Sequence, residues 1–180
     1  ATAASPQSPP QEAPAPAPAS PPPPSRRTWR ELAAHGANAE AYAQLGHGGV
    51  AATARTASVE ELFALADVAR LSGHAAEAVD PLQRIVDHHA NDPRAPLAGL
   101  TLGRIDLRSL DAPAAAVRAL EVAIARGLPA DLGEDAGALH VEALARAGHA
   151  DAARAAYARF AAQFPSSARL RELSPWLHDR

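Results

Sequence analysis

Arginine and histidine are the side chains of this sequence with the most chemistry to offer. All 17 basic residues are Arg and none is Lys, and there are eight His. His88 and His89 are adjacent, with Asp87 and Asp92 beside them. Neighbours on a helix point about 100° apart, so this pair does not converge on one metal ion. The spacing His-Glu-x-x-His is absent, and with it the zinc site that two histidines one turn apart would make. His74 and His149 each follow a Gly and read as solvated turn residues. No Gly-x-Ser-x-Gly elbow, phosphate-binding loop or dinucleotide fingerprint is present. The Ser, His and Asp residues stand at no informative spacing. With no Cys, disulfides, zinc–thiolate sites and thiol catalysis are excluded. The expectation is a chain that is not an enzyme and that uses neither metal nor cofactor.

The arginines carry a sharper expectation. On three predicted helices, Phe63, Asp67 and Arg70, then Arg104 and Arg108, then Glu142 and Arg146 fall on outward positions of one surface. A guanidinium matches a carboxylate with two parallel hydrogen bonds. Four arginines in a row would therefore grip the carboxylates of a protein or peptide partner. The competing reading is an ordinary charged surface held by pairs within each helix. Trp29 and Trp176 stand near the two ends and read as closing the edges of the core, with a partner contact as the alternative.

Charge narrows the partner. Twenty acidic residues against 17 basic ones leave a net charge of −3. Such a chain lacks the positive field that nucleic-acid binding requires. The Arg, Ala and Pro excess marks a GC-rich genome rather than a phosphate site. No apolar run approaches the roughly 18 residues of a membrane span.

These positions need a framework, and a repeat supplies it. Gly36, Ala41 and Leu45 have the spacing Gly-x4-Ala-x3-Leu. Gly73, Ala78 and Leu82 repeat it, as do Gly148, Ala153 and Tyr157. Asp111, Ala116 and Leu120 form a fourth copy with Asp in place of Gly. The anchors are 37, 38 and 37 residues apart. Glycine suits a tight turn between helices. Five residues on, only a methyl group lets the second helix press on the first. One turn later, a large apolar residue fills the space towards the next unit. Units of this kind bury their apolar faces only by stacking.

The reading is all-α. Helix pairs are expected at 59–71 with 75–89, 95–109 with 112–126, and 134–147 with 150–163. A shortened pair covers 29–45, and a terminal helix near 167–173 caps the stack. Thr28-x-x-Glu31, Ser58-x-x-Glu61 and Asp131-x-x-Glu134 have capping-box form. Pro93, Pro129 and Pro165 read as stops. Pro81 should bend its helix, and His47-Gly48-Gly49 should be a loose turn. Residues 1–25 stand apart as a disordered Pro/Ala-rich linker, since the first 24 residues hold 10 of the 17 prolines. An extended spacer of this length reaches about 75 Å at ~3.1 Å per residue. A docking site for an SH3-like partner is the weaker reading of it. Residues 26–180 form the helical domain. The chain opens directly in linker sequence, so it reads as a piece of a longer protein with a further domain upstream.

The repeat resembles the tetratricopeptide repeat, best in Gly148, Ala153, Tyr157 and Pro165, over about residues 28–173. The resemblance implies an α-solenoid of antiparallel helix pairs whose first helices line a concave, partner-binding face. The surface named above lacks the Lys and Asn of a carboxylate clamp, so a chaperone tail is not the expected partner. The linker, Thr28-Trp29-Arg30-Glu31-Leu32, Glu60 to Asp67 and Pro93-Arg94-Ala95-Pro96 also look like the C-terminal repeat region of FecR-like regulators of the myxobacterial kind. That likeness implies envelope signalling of an anti-sigma type, in the periplasm or otherwise outside the cytoplasm. A cytoplasmic location is the alternative. The other functional reading is a structural scaffold, similar to BamD-like or cell-division-coordinator repeat proteins.

Overall fold

Four turns of the chain pivot on a residue with positive φ. In the computed structural model, which describes residues 27–177, Gly36, Gly73 and Gly148 have φ of 76°, 83° and 81°. Asp111 takes the matching position at 50°, the one positive φ outside glycine among the described residues. The next residue, Ala37, His74, Ala112 or His149, returns to negative φ with ψ between 52° and 66°. In three turns its amide bonds a carbonyl five residues back: Ala37 to Leu32, His74 to Ala69 and His149 to Leu144, each at 2.9 Å. That bond is the Schellman closure of a helix end. Ala112 instead reaches the Asp106 carbonyl, six residues back, at 2.8 Å. One extra residue sits in that turn, which accounts for the anchor spacing of 38 there. Asp is among the few side chains that tolerate left-handed backbone. Arg146 donates to the Asp111 carboxylate at 2.5 Å and to the Leu107 carbonyl at 3.1 Å, tying the longer turn to a neighbouring helix.

The described elements are all helical. They are α1 (Trp29–Ala34), α2 (Asn38–Leu45), α3 (Gly49–Ala54), α4 (Val59–Leu71), a 3-10 turn (Ala75–Ala78) leading into α5 (Val79–His88), and α6 (Ala95–Arg108). Then come α7 (Pro113–Arg126), α8 (Ala130–Arg146), α9 (Ala150–Gln163), α10 (Arg169–Leu173) and a final 3-10 turn (Ser174–Leu177). The linker, residues 1–25, lies outside the described residues.

Local chemistry explains the starts. Ser58 Oγ accepts from the Glu61 amide, while the Glu61 carboxylate accepts from the Ser58 amide at 2.9 Å. Thr28 and Glu31 make the same box for α1. The third expected box does not form. Pro129 stands at the N-cap of α8, so the helix begins at Ala130 and Asp131 lies inside its first turn, where a negative charge suits the helix dipole. Glu134 accepts from Ser167 Oγ instead, at 2.6 Å. Pro81 does not bend a long helix, because the α-helix starts only at Val79. In a first turn the missing N–H has no intrahelical bond to lose. The expected loose turn at 47–49 is also a helix in part. Gly48 turns the chain at φ 75°, and α3 follows, burying Val50 and Ala54.

Packing runs between sequence neighbours: α4 on α5, α5 on α6, α6 on α7, α7 on α8 and α8 on α9. Contacts also join α1 to α4, α6 to α8 and α8 to α10. The repeat alanines Ala41, Ala78 and Ala116 have no exposed surface, and Ala153 has almost none. Leu82 and Leu120, one turn on, are likewise sealed, whereas Leu45 and Tyr157 are half-buried. Glycines on the facing helices permit the close approach. A Cβ on Gly103 of α6 would stand 2.6 Å from Leu120 Cγ of α7.

Candidate functional site

Guanidinium–carboxylate contacts join α1 to α4, α6 to α8 and α8 to α10. Arg30 of α1 donates to Glu61 of α4 at 2.5 Å. Arg104 of α6 pairs with Asp135 of α8, whose other oxygen accepts from Arg169 at 2.8 Å. Arg108 of α6 grips Glu142 of α8 with two bonds, at 2.7 and 2.5 Å. Glu142 is 6 % exposed, and Arg146 adds a third donor to it at 3.3 Å. Three guanidinium N–H donors thus meet one buried carboxylate and offset the cost of burying it. The Glu61 carboxyl is held below its ordinary range, first by the Ser58 amide and then by Arg30.

The row expected from sequence is thus brought together unevenly. Arg108, Glu142 and Arg146 form one cluster. Arg104 stands with Asp135 rather than with them. Arg70 pairs with Asp67 on its own helix at 2.8 Å. Phe63 lies under the guanidinium of Arg94, 5.8 Å from its ring centre. Each of the four arginines therefore has a carboxylate of its own chain. Sequence reasoning missed the partners Asp111, Asp135 and Arg169. One signal pointed to such ties: Arg30 to Glu61 and Arg104 to Asp135 are both 31 residues apart.

Two depressions open along these helices. The larger, 640 Å³, lies between α1 and α4 and is lined by Trp29, Arg30, Ala33, Glu61, Asp67 and Leu71 among others. The smaller, 200 Å³, is lined by Arg108, Ala138, Glu142, Arg169, Leu173 and Trp176 among others. Each contains a large apolar side chain left open, Leu71 at 56 % and Trp176 at 43 % exposed. Trp29, by contrast, is buried, with Arg30 over its ring at 4.8 Å.

The histidines are dispersed. Near His88 and His89, Asp87 accepts from Gln83 and Asp92 from Arg94. His74 stacks on Tyr42 at 3.7 Å, and the Tyr42 hydroxyl donates to Glu77 at 2.6 Å. Among the described residues, no group of three or more His, Asp or Glu is placed to hold a metal ion. No described helix is long and apolar enough to cross a membrane. No family model, curated protein or solved structure matches the chain.

Proposed function

We propose that the chain is a tetratricopeptide-like α-solenoid that holds a peptide or protein partner along its first helices. One observation carries this reading. Both depressions on that row combine an exposed large apolar side chain with charged residues already fixed by their own partners. Apolar anchors within a polar rim are what protein recognition uses. The internal ion pairs give the arginines a different part from the one expected. They fix α1 against α4, and α8 against α6 and α10, and leave Leu71 and Trp176 as the contact points.

The test is capture with a photo-crosslinking side chain at position 71 or 176 in the cells that make the protein. One shared protein should be labelled from both positions. Leu71→Glu with Trp176→Glu should abolish its co-purification, while Arg154→Ala on α9 should leave it unchanged. A partner retained by the double variant overturns the proposal. The setting we infer, a FecR-like regulator outside the cytoplasm, is supported by the resemblance of the linker and repeats. Cell fractionation that finds the chain only in the cytoplasm removes it.

A further inference from the structure

A second surface of the molecule is built differently. A cavity of 300 Å³ lies among α5, α6 and α7. Val79 and Val86 of α5, Leu102 of α6, and Ala115, Ala119 and Val122 of α7 give it aliphatic walls. Asp106 of α6 also lines it, one turn beyond Leu102, and only 5 % of that residue is exposed. No hydrogen bond or ion pair from a described residue reaches the Asp106 carboxylate. Burial pushes its carboxyl above the ordinary range, and the charge of Arg118 draws it only partly back. Arg118 itself donates to the Ala114 carbonyl of its own helix at 3.1 Å. Asp87 and Gln83, both exposed, belong to the lining as well, with the Gln83 amide donating to Asp87 at 2.9 Å. Two carboxylates against one guanidinium leave the lining with one net negative charge.

The Asp106 carboxylate lines this cavity with no donor from the described residues on it, so a cation seated there gains a counter-charge that the aliphatic walls do not offer. The walls state what shape that cation has. Aliphatic sides around a single acid match a methylene stem ending in a cation. An ammonium carries three donors, which one carboxylate and a nearby polar rim can satisfy. A guanidinium carries five in a rigid plane and would leave several without acceptors here. We infer that the cavity between α5, α6 and α7 receives the side chain of a lysine from another protein, with Asp106 as the counter-ion. The chain contains no Lys, so it cannot fill this cavity from within with that residue.

The cavity shares no lining residue with the two depressions described above, and its probe needs no knowledge of the partner proposed there. Either reading can therefore fail alone. The full chain is titrated with Nα-acetyl-lysine amide and followed by amide chemical shifts. Saturable shifts at Val86, Leu102, Asp106 and Ala119, with half-saturation in the millimolar range, are expected. The norleucine and arginine analogues should bind about tenfold more weakly or less. Asp106→Asn keeps the shape, removes the buried charge and should raise the thermal midpoint while abolishing the lysine response. Val122→Phe fills the cavity without touching the charge and should abolish it too. The inference falls if the wild-type chain gives no saturable shifts. It falls equally if either variant or either analogue binds as well as the wild-type chain binds lysine.

Discussion

Gly103 shows how little room the chain leaves between paired helices. An added methyl there would stand 2.6 Å from Leu120 Cγ and 2.9 Å from one of its methyls. Overpacking of that kind costs about 1–3 kcal/mol, against roughly 1 kcal/mol gained from better helix propensity. Gly103→Ala should therefore lower the thermal midpoint. Gly133 is the control, because its added Cβ would lie 3.7 Å from Phe164, an ordinary contact. Gly133→Ala should raise the midpoint. His140 of α8 supplies a residue-scale prediction about pH. Its Nε2 is buried without a hydrogen-bond partner, 3.7 Å from Glu121 of α7. Burial holds its pKa below 6.5; Arg159 acts in the same direction and Glu121 against it. The unfolded chain then binds a proton more readily than the folded one. Stability is full above the ordinary histidine value and declines as the pH falls from there through the folded value. His140→Leu should flatten that part of a melting profile taken against pH. An unaltered slope would show that His140 does not produce it.

Elements were legible where two signals coincided. The helix expected at 59–71 has those bounds because Ser58 and Glu61 cap it and its apolar stripe then runs unbroken. The cap itself is testable. Ser58→Ala should cost about 1 kcal/mol in urea unfolding, and a loss near zero would mean that the Glu61 side chain alone holds the start. Helices 95–109, 112–126 and 150–163 were equally readable, to within a residue at each end. The failures have physical causes. The α3 segment is six residues of Gly, Val, Ala and Thr, too short to show a period, and Gly48 and Gly49 at its start read as breakers. Pro129 reads from sequence only as the end of one helix, although proline also suits the threshold of the next. The candidate site was half legible. The residue types of the arginine row could be named, but their partners lie on neighbouring helices. Which carboxylate meets Arg104 depends on how α6 and α8 cross, and no local pattern encodes that crossing.

At the scale of the whole molecule, α6 and α7 hold the two halves together. The buried apolar residues fall into two clusters, one reaching from Trp29 to Ala119 and the other from Leu100 to Leu173. They overlap in this pair. Leu102 and Ile105 of α6 face the first cluster, and Leu100 and Leu107 face the second. Ten of the 14 residues of α6 are buried. The outer elements have neighbours on one side only. Where each unit is stabilised by those beside it, the ends open more readily than the middle. Native-state hydrogen exchange should therefore find the slowest amides in α6 and α7 and the fastest in α1, α2, α3 and α10. Leu107→Ala should speed exchange throughout the chain, because it weakens the unit that both clusters share. Leu32→Ala, in α1, should speed exchange mainly in the first three helices. Equal protection from α1 to α10, moved in concert by both substitutions, would mean that the chain opens as one body and that stacking does not govern its stability.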